Sequence, residues 1–206
     1  MRATSGVRPL RKRVAAGQHR GRTSSKIGSV ELGNVARIVL AVAQEDSTSL
    51  AHAASHGVDI LEIRIDQLPR HDKGSVVSEI KALRRLGLPI IATVRSIAEG
   101  GTVSLSDDVR AALYEAVIPL VDAIDIELES ATALSRPRRR AATKGLTTIL
   151  SYHDFKTTPS NERLQEIVSQ ARAHNADIVK IACMPKSRAD VFRLLSFTTT
   201  NRHHNL

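Results

Sequence analysis

Of the chain's 206 residues only one, Cys183, is a cysteine, so no internal disulfide is available to hold the fold together. Its setting in the run IVKIACMP reads as a small buried hydrophobe rather than a reactive thiol. No stretch approaches the roughly 18 uninterrupted apolar residues of a membrane span, and the start lacks the compact apolar segment of a secretory signal. A protein in the reducing cytoplasm, with no membrane partner, is the expectation. Phosphate-loop and metal-triad patterns are also missing, so neither a nucleotide cofactor nor a metal is expected.

Acidic residues are absent from the first 30 positions, where Arg2, Arg8, Arg11, Lys12, Arg13, Arg20, Arg22 and Lys26 carry eight of the nine net positive charges. The remainder is nearly balanced. No aromatic or amphipathic pattern accompanies those charges, so nucleic acid is not an expected partner. Residues 1–23 read as a basic, disordered extension or an upstream start-site artefact; a transit peptide or a phosphate-binding arm is the alternative. A second basic run, Arg136 to Arg140, reads as a solvated helix start.

What is present, from about residue 36 onward, is an alternation of short β-branched runs with segments of helical period. This is the pattern of βα units around a parallel sheet, an α/β barrel fold. Six strands are expected, at 36–42, 59–65, 89–95, 123–129, 147–153 and 176–182. Asp46 or Ser47 is placed to cap a helix stopped by Gly57, and Gly87 closes SVVSEIKALRRLG. Ser187 with Asp190 makes a capping box for a final helix. Residues 24–36 read as a small hairpin with Gly33 or Asn34 near its turn or exit.

Strand parity sorts the charged residues. Glu62, Arg64 and Asp66 fall opposite Leu61, Ile63 and Ile65; Asp125, Glu127 and Glu129 fall opposite Ile124, Ile126 and Leu128. Arg95, His153 and Lys180 each lie late in a strand. In a parallel barrel that is the carboxyl-terminal mouth, where catalytic side chains converge. Each has an ordinary reading as a structural ion pair or a hydrogen-bonded core histidine. Lys180 stands apart, because burial within ADIVKIA favours the neutral amine that attack on a carbonyl requires. Imine chemistry on an anionic, oxygen-rich substrate follows, by either a class I aldolase or an imine-forming dehydratase.

The local strings choose between these. EIRIDQL (62–68), IIATVRSIAEGG (90–101), IDIEL (124–128), SYHDF (151–155) and ADIVKIACMPKSRADVFRLL (176–195) together resemble the type I 3-dehydroquinate dehydratases, in the family's order and approximate spacing. The resemblance implies a parallel (β/α)8 TIM-type barrel with about six of eight units present in residues 24–206. It implies dehydration of 3-dehydroquinate to 3-dehydroshikimate through a Schiff base, a step of the shikimate pathway toward aromatic amino acids. Lys180 would form the imine, His153 would act as general acid and base, and Glu99 would orient the histidine. Glu62 and Arg64 would hold ring hydroxyls, Arg95 would add a cation for substrate oxygens or the carboxylate, and Asp66 would be structural. Ala41 stands where some members carry a substrate-contacting serine. The family's last two strands, with a substrate-binding arginine, a serine and a glutamine, have no counterpart before Leu206. Unpaired strand edges would then aggregate, pair with another copy as a homodimer, or be covered by the hairpin or the basic arm. A C-terminally truncated, catalytically weak barrel serving as a non-enzymatic or interaction protein is the competing expectation.

Overall fold

The computed structural model describes residues 25–43 and 47–201. The basic extension and the Asp46 cap therefore lie outside the described residues. Among the described residues, eight strands and six α-helices run in chain order: β1 (Lys26–Ile27), β2 (Val30–Glu31), β3 (Val39–Val42), α1 (Ser47–Ser55), β4 (Ile60–Arg64), α2 (Lys73–Arg84), β5 (Ile90–Thr93) and α3 (Asp107–Val117). They continue with β6 (Ala123–Glu127), α4 (Ser135–Thr143), β7 (Thr147–Asp154), α5 (Asn161–Ala173), β8 (Ile178–Cys183) and α6 (Arg188–Asn201).

Strands β3 to β8 form one parallel sheet in strict sequential order. Each strand pairs with the next through an intervening helix, the winding of a TIM-type barrel wall. The outer face buries Leu61, Ile63, Ala92, Ile124, Ile126, Leu150 and Val179 against the helices. Val76, Ile80 and Leu83 of α2 and Leu164, Ile167, Val168 and Ala171 of α5 supply the apolar stripes that cover it. On the inner face Ile60, Ile91, Ala123 and Ile149 form one layer, closed below by Ile27.

Ile27 belongs to the β1–β2 hairpin, whose turn is Gly28–Ser29 rather than Gly33 or Asn34. Gly28 has φ +56°, and a Cβ there would sit 3.0 Å from both Asp122 and Pro89, so the tight turn under the barrel requires glycine. Gly33 marks the hairpin exit. Thr147 donates to the Lys26 carbonyl at 2.6 Å and ties the hairpin to β7.

Helix ends follow the sequence signals. Ser187 and Asp190 bond reciprocally at 3.2 and 3.0 Å, the expected capping box. The Arg136–Arg140 run starts α4, but not all of it is solvated: Arg138 tucks in to donate to the carbonyls of Ala131 and His174. Cys183 is half-buried at the end of β8, not the fully buried hydrophobe expected.

Strands β3 to β6 are shorter than the sequence runs suggested, while β7 and β8 each run one residue farther at the carboxyl end. β4 stops at Arg64, so Asp66 lies in a single 3-10 turn (Ile65–Gln67), and β5 stops at Thr93, leaving Arg95 beyond it. Glu129 lies in another such turn and is exposed. After β5 the backbone N–H groups that a continuing ladder would use are taken by side-chain carboxylates, Asp66 accepting from Arg95 N at 3.1 Å and Glu127 from Ser96 N at 2.7 Å. No helix among the described residues is long and apolar enough to cross a membrane.

Candidate active site

Above the apolar inner layer, the next residues on five of the six strands are polar, β3 presenting Ala41 beside Glu62. β4 presents Glu62, β5 Thr93, β6 Asp125, β7 Ser151 and β8 Lys180, the last aligned with Ser151 across the β7–β8 pair. These side chains bond one another. Lys180 Nζ donates to Asp125 Oδ2 at 2.9 Å and to Glu62 Oε2 at 3.3 Å. Glu62 Oε1 accepts from Thr93 Oγ1 at 2.7 Å. Asp125 Oδ1 accepts from Ser151 Oγ at 2.6 Å.

Burial pulls the Lys180 ammonium toward the neutral amine, but the anions of Asp125 and Glu62 outweigh it and its pKa is raised. This corrects the expectation that strand burial alone leaves the amine neutral. The strand sequence hid the cause, because the two carboxylates arrive from β4 and β6.

Arg95 is almost completely buried, and its guanidinium faces Asp125 at 3.1 Å, Glu127 at 3.3 Å and Ser151 Oγ at 2.7 Å. Burial opposes its charge, and the carboxylates of Asp125 and Glu127 more than restore it. These contacts tie the Arg95 guanidinium into a buried network beside Lys180, whose partner Asp125 it shares.

A second buried arginine was missed from the sequence. Arg110 of α3 donates to Glu127, to the Val94 carbonyl at 2.9 Å and to Ser130 Oγ at 2.9 Å. Its neighbour on that face, Tyr114, is fully buried and donates to the Asp125 carbonyl at 2.5 Å. The signal was available. Arg110 stands at the first position of the stripe Arg110, Leu113, Tyr114, Val117, and a cation on an apolar helix face needs a buried anion.

Toward the mouth, Glu99 Oε2 accepts from the His153 backbone N–H at 3.0 Å and meets Nδ1 at 2.8 Å. An ionised carboxylate only accepts, so Nδ1 carries a proton and, in the neutral imidazole, Nε2 keeps its lone pair for proton transfer. The Glu99 loop is pinned at both ends. Glu127 holds Ser96 N, while Asp66 accepts from Thr102 N at 3.3 Å and its carbonyl accepts from Thr102 Oγ1 at 2.7 Å. Asp66 also holds Arg64 bidentately at 2.9 and 2.8 Å, and Arg64 donates to the Gly100 carbonyl at 3.2 Å. Burial raises the Asp66 pKa, and Arg64 with the Arg95 and Thr102 N–H groups takes it below the ordinary value. The structural role expected for Asp66 agrees with this geometry.

Gly101 approaches so closely that a Cβ would lie 2.3 Å from the Arg95 carbonyl oxygen, and at Gly100, φ +88°, a Cβ would lie 2.8 Å from the Phe155 ring. The glycine pair lets the loop fold down over the histidine. Inside the curl of the sheet a cavity of about 510 Å3 is lined by Ile60, Glu62, Ile91, Ile149, Lys180 and Leu194 among others. The residues singled out from the sequence thus form two groups on one end of the sheet: Glu62 and Lys180 with Arg95, joined through Asp125, and Glu99 with His153, whose loop Arg64 holds at Gly100.

Comparison with known proteins agrees with this geometry. Residues 35–205 match the family model described as type I 3-dehydroquinase. The chain is 39% identical over 175 residues to the 3-dehydroquinate dehydratase of Methanococcoides burtonii, covering 84% of this chain and 75% of that protein. The crystal structure of the 3-dehydroquinate dehydratase from Aquifex aeolicus superimposes with a TM-score of 0.72 at 31% identity, over 80% of this chain and 75% of that one. An archaeal fructose-1,6-bisphosphate aldolase, 14% identical with a TM-score of 0.50 over 75% of this chain and 61% of its own, shares the fold alone. The chain belongs to the type I 3-dehydroquinase family.

Proposed function

We propose that Lys180 is the imine-forming residue and His153 the proton-transfer residue of this chain. The activity is that of a 3-dehydroquinate dehydratase, a hydro-lyase, with a place in the shikimate pathway following from the enzyme. Neither the aldolase reading nor that of a non-enzymatic barrel is favoured by the family match.

The observation that carries the assignment is a lysine on the inner face of the sheet, opposite Ser151, with a histidine two residues farther along the neighbouring strand. Two strand residues span about 7 Å, which leaves room for a bound ring between amine and imidazole. Nζ attacks the substrate ketone, and loss of water gives an iminium that acidifies the adjacent carbon. His153 Nε2 removes a proton from that carbon and returns one to the departing hydroxyl. Hydrolysis of the product imine frees Lys180. Glu99 keeps the ring oriented through Nδ1, and its loop covers the site against water. Glu62 and the remaining donors of Arg64 serve ring hydroxyls.

Borohydride added with 3-dehydroquinate should fix a covalent adduct on the peptide carrying Lys180, read by mass spectrometry. An unmodified Lys180 in folded protein refutes the assignment. A homodimer of a cytoplasmic enzyme is the further reading we favour. Val39 on the β3 edge and Phe192 and Leu195 on α6 are 43%, 65% and 60% exposed, an apolar side suited to self-association. Light scattering tests it, and a monomer at all concentrations refutes it.

A further inference from the structure

Asp125 lies one strand farther from Lys180 than Ser151 does, yet its carboxylate makes the shortest contact to Nζ, 2.9 Å against 3.3 Å for Glu62. It is also the more firmly held of the two. Oδ1 accepts from Ser151, Oδ2 meets both Arg95 and Lys180, and the backbone carbonyl of the same residue accepts from Tyr114. Asp125 is 1% exposed against 8% for Glu62, which is supported by one hydrogen bond, from Thr93, and by a longer ion pair with Arg95 at 4.0 Å. A carboxylate fixed on every side can neither follow a substrate nor turn away from the amine.

We propose that Asp125 is the counter-ion of the imine nitrogen, holding the Lys180 ammonium before reaction and the N–H of the iminium after it. The inference rests on the imine reading given above.

The reaction's charge balance supports a fixed anion at this place. An ammonium and a ketone give an iminium and one water: a C–N double bond forms, the C–O bond breaks, and two of the three ammonium protons leave in the water. The charge at nitrogen is +1 before and after, so an anion that never changes protonation matches both states. An imine draws electrons from the neighbouring carbon only while protonated, and an anion facing its N–H keeps it so. Burial raises the Asp125 pKa, but Arg95, Lys180 and Ser151 bring it down to about 2, so Asp125 is not the group that takes the proton Nζ must shed to attack. The charged and titratable groups facing this position are Glu62 from β4, Arg95 after β5, Asp125 from β6 and His153 from β7. Arg95 repels the ammonium slightly; the carboxylates prevail.

The test uses the full chain as wild type, Asp125→Asn, Asp125→Glu and Ser151→Ala. Borohydride trapping on Lys180 with 3-dehydroquinate is followed against pH, and turnover is followed by the absorbance of the conjugated product. Removing the anion should move the trapping limb of Asp125→Asn at least about one pH unit lower, the size expected for one close charge partner. Its kcat should fall about 100-fold, with a smaller change in KM. Asp125→Glu should return the limb toward wild type, and Ser151→Ala should move it in the same direction by less. A folded Asp125→Asn protein with an unshifted limb overturns the inference. If circular dichroism shows that variant unfolded, an unshifted limb in Ser151→Ala overturns it instead. Absence of trapping in wild type would overturn the imine reading itself, whereas a trapped wild type with unshifted variants overturns the counter-ion alone.

Discussion

Replacing Asp66 by asparagine tests whether the mouth is held by a charge that touches no expected reacting atom. Asp66 is 1% exposed and accepts four hydrogen bonds through its two carboxylate oxygens: Oδ1 from Arg64 Nε and Arg95 N, Oδ2 from Arg64 and Thr102 N. The substituted amide would have the same shape but a single acceptor oxygen. Whichever way it turns, its NH2 faces two donors, and Arg64 loses its counter-charge. Breaking a buried pair in this way costs about 3 to 5 kcal/mol. The Arg64 side chain is 19% exposed and recovers some hydration, which favours the low end, about 3 kcal/mol. With a denaturant slope of about 2 kcal/mol per molar, the urea midpoint should fall about 1.5 M. Unfolding followed by circular dichroism measures this directly. The orphaned arginine should account for much of the loss, so Arg64→Met combined with Asp66→Asn should be less destabilised than the sum of the single variants. A midpoint within about 0.2 M of wild type, or strict additivity in the double variant, would refute the reasoning.

Gly101→Ala places a methyl 2.3 Å from the Arg95 carbonyl oxygen, where only backbone can yield. It should lower stability by about 1 to 3 kcal/mol and lower kcat by displacing Glu99 from His153; wild-type turnover would contradict the close approach. Acid should also weaken the fold. The Asp125 pKa drops from an ordinary 3.8 to about 2 on folding, so its contribution is complete above about pH 4 and is lost as pH falls through about 2. The loss is about 2 kcal/mol, and Asp66, shifted in the same direction, adds to it. Urea midpoints that do not fall between pH 5 and pH 2.5 would count against both assignments.

The parity of β4, β6, β7 and β8 alone places Glu62, Asp125, Ser151, His153 and Lys180 on one face, because alternation along a strand is a local property of the backbone. All six parallel strands and the capping box at Ser187 were equally legible, for the same reason. The strand ends were not. The end of β5 depends on Asp66 and Glu127 capturing the N–H groups of Arg95 and Ser96, contacts between residues about 30 positions apart. Arg110 and Tyr114 looked like ordinary helix residues until α3 was laid against the sheet.

The sequence by itself therefore determined the family and the winding, and put Lys180 and His153 on the inner face of the sheet. Tertiary structure alone decided which carboxylates face Lys180 and Arg95. Both sets of contacts depend on distances between strands, since Coulomb energy follows separation in space, which a linear pattern does not contain.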